Sequence, residues 1–491
     1  MDVVLIGAIR ASLKWNILAE LVSKAVGPVV FLVLARLLTP EDFGVVGAAT
    51  LVISFSQAFW EAGLSKALIR HPENPEKAAT TVFWLNLGLS LLVAAFLAIA
   101  AGPISRIFHD ARIENVIRVL ALQLPLAAFG SVQTALLQRE FRFKKLFWVR
   151  LVTTAAPGLM SIPLAMGGLG YWALIAGTLC GSMTQSAALW FMSSWRPTGK
   201  LDFELAGRML RFGVWVIGEA LLGWFYMWGD GFLVGVFLGT HELGVYRTGS
   251  VFVALVFALA LSPALPVIYS AFSRHQHDTK HLTVVLLKTQ KALFLFALPI
   301  GLGLYLLQIP VAELVFGDKW DGVGQVVGIL GLIVGLSWLM GANPEAYKAM
   351  NRPDIFTKLL LIGLVYYIPA YYFSLRHGVE TFLWTRLALF LVSQIMHFVA
   401  LKKMLGVGPV AVFSNSRRVI GAAVAYCAIF WTFSQTVSPG LAGLPEFMQN
   451  SIKVGFFGIT VVVVYYSTMK KDFRDIFGHG FLKFGRKNTA V

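Results

Sequence analysis

The chain is 491 residues long, 57% hydrophobic and 13% charged, with 41 Lys and Arg against 25 Asp and Glu for a net charge of +16. Soluble globular proteins carry about 25% charged residues, and a chain of this size cannot hide so much apolar surface in its own core. The composition excludes a soluble enzyme and makes lipid the expected solvent, in line with a mean hydropathy of +0.73.

Runs of roughly 20 apolar residues, enough to cross a hydrocarbon core of about 30 Å, predict spans in chain order. They fall at 15–37, 43–64, 80–101, 116–138, 147–167, 170–192, 208–237 and 243–268. Six more follow at 289–312, 322–342, 356–374, 380–401, 418–437 and 450–468, making fourteen. Backbone polar groups in lipid must be satisfied within the segment, so these are helices. A β-barrel would need short segments of alternating polarity, and these runs are continuously apolar. The first run follows Arg10 and Lys14 without a small-residue cleavage site, so it is read as a span and not as a signal peptide.

The charge then becomes an orientation signal. With the termini and the loops after even-numbered spans placed in the cytoplasm, 31 of the 41 basic residues fall on that side, those near a span end being counted with the adjoining loop. Nine fall opposite, and Lys24 lies inside the first span. Such a bias fits the positive-inside rule and would collapse if one span were missed. It also removes nucleic acid as the reason for the basic balance.

A faint internal repeat is present. Leu34 to Val46 (LARLLTPEDFGVV) and Val234 to Tyr246 (VGVFLGTHELGVY) share a plan at an offset of 200: a helix ends, an acidic turn follows, and a Gly opens the next helix. The offset puts two bundles of six spans in the same orientation, as parallel repeats require. Residues 1–195 are therefore expected to form one lobe, 196–401 a second, and 402–491 two additional spans with a basic tail.

Several enzyme signals are missing. There is no G-x-x-x-x-G-K-[ST] loop and no D-x-D pair, and Cys180 and Cys427 sit singly in apolar runs. Gly322, Gly324, Gly328, Gly331 and Gly335 are spaced for close helix packing and not for a phosphate loop. His275, His277 and His281 lie in a basic loop and read as solvated residues, so no metal site is expected.

Ionisable residues inside spans carry more information, because each costs about 2.5–3.5 kcal/mol even on the lenient insertion scale. Lys24 lies one turn from Glu20 and just before Gly27 and Pro28, so it can serve either an anionic ligand or a structural Lys24–Glu20 pair. Glu219 and Asp230 lie eleven residues apart, on one helix face. With Glu61 they are candidates for H⁺ or Na⁺ coupling, the alternative being capped interfacial carboxylates. Trp224, Tyr226 and Trp228 can stack on sugar rings or belong to an interfacial belt, as can Tyr366, Tyr367, Tyr371 and Tyr372. The segment Arg139 to Arg150 (REFRFKKLFWVR) reads as an interfacial anchor for anionic lipid.

The stretches Leu34 to Gly44 (LARLLTPEDFG), Glu61 to Arg70 (EAGLSKALIR) and Ala135 to Leu146 (ALLQREFRFKKL) together resemble the polysaccharide transporter family, the Wzx-like branch of the MOP flippase superfamily. The resemblance runs from about residue 10 to 400. It implies an all-α integral membrane fold of 14 transmembrane helices, with two six-helix lobes around a central cavity plus two C-terminal helices. It further implies export of undecaprenyl-pyrophosphate-linked oligosaccharide units across a bacterial inner membrane, with both termini cytoplasmic. A polysaccharide polymerase and its chain-length machinery are the implied partners. In related flippases basic cavity residues meet the pyrophosphate, which points to Lys24 and, near the outer face, Arg247. No organic cofactor is expected. Asn343 to Pro353 (NPEAYKAMNRP) departs from the short Gly-containing turn expected at that junction. The competing readings are an ion-coupled multidrug-type exporter of the same fold, which the acidic residues would suit, and a polymerase or ligase, for which no large external loop exists.

Overall fold

The computed structural model describes residues 26–61, 68, 75–198, 202–261, 265–274 and 278–470. Lys24 and Glu20 lie outside them, as do His275 and His277. Every element among the described residues is helical. Nine of these helices are long and apolar enough to cross a membrane, and two further apolar helices, Val26–Leu37 and Val323–Ser337, are shorter. Backbone contacts divide the chain into two compact units, Met1–Thr248 and Gly249–Val491.

In the first unit α1 (Val26–Leu37) leads into α2 (Pro40–Glu61) through a capping box. The Thr39 hydroxyl accepts from the Asp42 N–H at 3.3 Å, while Asp42 Oδ2 accepts from the Thr39 N–H and hydroxyl, both at 3.1 Å. Pro40 sits at the first helical position, where its missing N–H costs nothing. After α3 (Pro75–Ile107), one span is built from α4 (Arg112–Leu120) and α5 (Gln123–Arg139). Helices α6 (Phe143–Met166) and α7 (Tyr171–Met192) complete this group. They pack closely because Gly177 and Gly181 lie against Pro157 and Ser161 of α6.

Asp42 caps a second helix. Its Oδ1 accepts from the Tyr171 N–H at 2.9 Å, at the start of α7. Gly170 precedes that residue with φ 55°, and a Cβ there would sit 3.0 Å from Asp42 Oδ1. One carboxylate thus satisfies exposed donors of two helix N-termini.

At the opposite ends of α5 to α7 the basic segment 139–150 makes a tight turn over residues 140–142, with Phe141 at φ 54°, and then opens α6. Lys145 Nζ donates to the Met192 carbonyl at 2.5 Å. Arg196 donates to the carbonyls of Trp190, Ser193 and Trp195 and lies over the Trp190 ring. Cations at the C-terminus of α7 complement its dipole.

Helix α8 (Phe203–Leu261) is broken at Gly239, whose φ of 87° and ψ of −176° are non-helical. The chain reverses there. Gly235 lies against Leu243 and Gly231 against Arg247, and each pair is equidistant from Gly239. The two arms therefore form an antiparallel helical hairpin, which matches the predicted spans ending at 237 and starting at 243.

The second unit continues through α9 (Leu265–Arg274) to α10 (Thr279–Leu306), capped by the Asp278 carboxylate on the His281 N–H at 3.0 Å. Then come α11 (Gln308–Val315) and α12 (Val323–Ser337). From Gly324 onward the glycine series has the packing role expected of it, whereas Gly322 stands before the helix at φ 79°. A Cβ on Gly335 would lie 2.8 Å from the Gly301 Cα, and one on Gly331 would lie 2.7 Å from Leu304 Cβ.

Asn343–Pro353 is not a glycine turn. It forms α13 (Asn343–Ala349), followed by Asn351 at φ 58° and by Pro353 at the first position of α14 (Pro353–Leu375). Gln290 of α10 holds this segment by donating to Asn343 Oδ1 at 2.7 Å, both side chains being fully buried. Helix α15 (Val379–Leu405) lies between Gly378 and Gly406, both at positive φ. The last helices, α16 (Pro409–Thr436) and α17 (Glu446–Thr468), dock on α10. Asn415 donates to the Leu287 carbonyl at 2.8 Å, and the Tyr465 hydroxyl donates to that of Leu295 at 3.0 Å.

Candidate functional site

The hairpin around Gly239 brings together residues that the sequence presents separately. Asp230 lies nine residues before the break and Arg247 eight after it, so both stand about 12–14 Å from the turn. The Asp230 carboxylate accepts from its neighbouring Gly231 N–H at 2.6 Å and from the Tyr246 hydroxyl at 2.7 Å. Tyr246 is 1% exposed. The Arg247 guanidinium carbon lies 4.2 Å from the centroid of the Trp228 ring. Gly231 makes room for this, since a Cβ would stand 3.0 Å from Arg247 Cδ.

The arrangement has a clear chemical sense. A guanidinium stays charged at any accessible pH. In an apolar helix pair it is costly unless compensated. Here the face of an indole and the field of a nearby carboxylate supply the compensation, while Tyr246 fixes that carboxylate. Arg247 itself is only half-buried, so its planar fork of donors can still meet an anion. Phosphate and pyrophosphate oxygens suit that fork.

The other expected residues are placed as follows. Trp224 is 8% exposed and packs between α2 and α8, with its indole N–H donating to the Ser54 hydroxyl at 2.9 Å and its ring 4.9 Å from Phe55. Tyr226 is 51% exposed. Glu61 is the last residue of α2 and Glu219 lies within α8; their side chains are outside the described set. Tyr246 escaped the sequence reading, and its signal was positional: it stands seven residues after the Gly239 break, on the arm that runs back beside Asp230.

A second constellation lies at the tip of the hairpin. A Cβ on Gly44 would overlap the Thr240 carbonyl oxygen and stand 3.2 Å from the Gly244 nitrogen. A Cβ on Gly244 would overlap the Pro40 carbonyl oxygen and stand 2.9 Å from the Gly44 nitrogen. His241 Nδ1 and Glu41 Oε1 are 2.6 Å apart. The Thr240 hydroxyl donates to Asp110 Oδ2 at 3.0 Å, and Arg112 binds the same carboxylate through both oxygens at 2.8–3.2 Å. Partial burial works against ionisation of Asp110. The hydrogen bonds from Arg112 and Thr240 outweigh it and hold the carboxyl below the usual range.

Comparison with known proteins gives a consistent picture. The profile of a family described as "Polysaccharide biosynthesis protein" matches residues 33–325. The succinoglycan biosynthesis transport protein ExoT of Rhizobium meliloti (strain 1021) is 24% identical over 328 residues, which cover 67% of this chain and 66% of that protein, just under two thirds of its length. The lipopolysaccharide biosynthesis protein WzxC of Escherichia coli (strain K12) is 25% identical over 366 residues, 73% of each chain. Among solved structures, the lipid II flippase MurJ in an inward closed conformation aligns with a TM-score of 0.76 at 13% identity, covering 94% of this chain and 99% of that one. At that identity the likeness concerns the fold.

Proposed function

The chain belongs to the polysaccharide biosynthesis protein family, and from that premise we propose that it is a flippase for lipid-linked oligosaccharides. It moves undecaprenyl-pyrophosphate-linked repeat units from the cytoplasmic to the periplasmic leaflet of a bacterial inner membrane, for exopolysaccharide, capsule or O-antigen synthesis. The work is transport and involves no covalent chemistry. The observation that carries this reading is Arg247, a half-buried guanidinium held in an apolar hairpin by Trp228 and by the Asp230–Tyr246 pair.

A pyrophosphate-sugar headgroup cannot cross hydrocarbon unaided, whereas its prenyl tail can remain in lipid. A site that lends a preorganised cation to the headgroup lowers that barrier without trapping the substrate, because Asp230 stands ready as counter-charge when the anion leaves. Lys24, beside Glu20 in the first span, provides a second cation. Two six-helix lobes rocking about a hydrated cavity supply alternating access. Fourteen crossings with cytoplasmic termini fit the charge distribution, and a polymerase with its chain-length machinery receives the product. A membrane potential, inside negative, contributes about 2.3 kcal/mol per charge per 100 mV to outward movement of the anion. Glu219, Asp230 and Glu61 are the carboxylates available for coupling to H⁺ or Na⁺.

The test is complementation of a flippase-deficient strain, with the lipid-linked oligosaccharide that accumulates identified by mass spectrometry. Arg247→Gln and Lys24→Ala should leave the protein in the membrane and cause the precursor to accumulate, while Arg247→Lys should retain partial export. Full export by both neutral variants would refute the anion-binding role. For Glu219→Gln, transport that is unchanged across imposed pH and Na⁺ gradients would remove this residue from coupling.

A further inference from the structure

The second unit contains a cavity of about 650 Å³ bordered by α11, α16 and α17. This is within the range of pockets that enclose small ligands. Its polar side is built by α17. Glu446, Gln449, Asn450 and Lys453 are spaced i, i+3, i+4 and i+7, so they share one face of the helix. Opposite them stands Glu313 of α11, whose Oε2 accepts from the Asn450 side-chain amide at 2.5 Å. Among the described residues no ion pair joins Lys453 to Glu446. Two helical turns, about 10 Å, separate the Lys453 and Glu446 backbones.

The remaining wall is largely apolar and includes two outward-facing side chains. Ile309 is 61% exposed and Trp431 is 66% exposed. Both belong to helical segments beside the polar stripe. A cavity that offers one ammonium and two carboxylates at one end, and exposed hydrocarbon beside them, matches an amphiphile that carries both signs of charge.

We propose that this cavity is a binding site for a zwitterionic phospholipid with a primary ammonium headgroup. Its phosphate is held by Lys453 and its ammonium by Glu446 and Glu313, with the acyl chains lying along Ile309 and Trp431. A purely anionic headgroup would satisfy Lys453 and crowd both glutamates. A quaternary ammonium could not donate hydrogen bonds to them.

The test uses the full-length protein in nanodiscs with equimolar phosphatidylethanolamine, phosphatidylglycerol and phosphatidylcholine, followed by native mass spectrometry of the lipid that stays bound. Phosphatidylethanolamine should be retained about tenfold over the other two, as one or two charge-assisted hydrogen bonds would give. That preference should fall severalfold in Lys453→Gln and in Glu446→Gln. Retention in the bulk ratio, or a preference that survives both substitutions, overturns the proposal. A photoactivatable phosphatidylethanolamine provides a readout on the unmodified protein. Labelling should concentrate on the segments containing Ile309 and Trp431 and be competed by unlabelled phosphatidylethanolamine. Labelling elsewhere, or equal competition by phosphatidylglycerol, also overturns it.

Discussion

Gly44 and Gly244 face each other across one contact, each with a hydrogen of its Cα directed at a backbone carbonyl of the other segment: Thr240 for Gly44 and Pro40 for Gly244. All four positions obey the offset of 200 that the sequence repeat displays, and the Glu41–His241 pair obeys it too. No side chain fits between Gly44 and Gly244, so at that point the two segments meet through backbone. Contacts of the Cα–H···O kind contribute about 0.5–1 kcal/mol each. Their larger effect is to set the distance between the two helices.

Substitution Gly44→Ala should therefore be severe. The added methyl must displace a backbone carbonyl, and overpacking of this kind typically costs about 1–3 kcal/mol or more. Gly244→Ala should behave the same way. Gly47→Ala, where the nearest atom would be 3.9 Å away, should be neutral or mildly stabilising. Thermal unfolding of the purified variants in one detergent checks all three, and equal melting temperatures for Gly44→Ala and Gly47→Ala would contradict the packing argument.

Asp42 caps α2 with one oxygen and α7 with the other. Asp42→Ala should remove both caps and destabilise by about 2 kcal/mol, since a single cap is typically worth about 1 kcal/mol. Asp42→Asn keeps an acceptor oxygen and should lose less. The ratio of the two losses, measured by chemical unfolding in mixed micelles, separates a double cap from a single one.

Tyr246→Phe deletes one hydrogen bond to Asp230 and leaves the ring in place. Polar side-chain bonds inside membrane proteins average about 0.6 kcal/mol and reach about 1.7 kcal/mol, so stability should fall by that modest amount. Transport should fall further, because a carboxylate released from Tyr246 can close on Arg247 and compete with the substrate anion. A variant with normal transport would show that Asp230 needs no such restraint.

Asp110 gives a pH dependence with a definite sign. Its carboxyl titrates below the unfolded value because Arg112 and Thr240 bind the ionised form. The folded state thus binds fewer protons, and its advantage is fully present above the unfolded pKa of about 4. It disappears as pH falls through the lower folded value. Asp110→Asn should be less stable than the unmodified protein at neutral pH, and the two should converge in acid below about pH 4. Parallel curves down to the lowest accessible pH would exclude this carboxylate as the source.

Much of this architecture is written in local sequence. Hydropathy marks the helices because each must satisfy its backbone internally. Thr39, Pro40 and Asp42 are a helix start, and Gly324 to Gly335 form a packing ridge. The acidic turns at 42 and 242 were visible as copies of one another. That the two copies touch was not visible, because a contact between segments 200 residues apart leaves no periodic trace in either. The Asp230–Tyr246–Arg247 grouping was hidden for a related reason. Each residue taken alone reads as interfacial, and only the reversal at Gly239 sets them at one level. Asn343 to Pro353 showed in the sequence only as a departure from a Gly-containing turn, with no sign of what replaces it. Pro344 instead opens a short helix, and the partner that buries Asn343 is Gln290, more than fifty residues upstream.

The contact between the segments around Gly44 and Gly244 has the symmetry of an isologous dimer interface, in which each member offers the same surface to the other. A chain carrying only one copy of the segment would have to find its complement in a second molecule, and the pairing would depend on concentration. Joining the copies in one polypeptide makes their encounter intramolecular. It also frees each copy to diverge, so that position 41 holds a glutamate while position 241 holds the histidine that meets it.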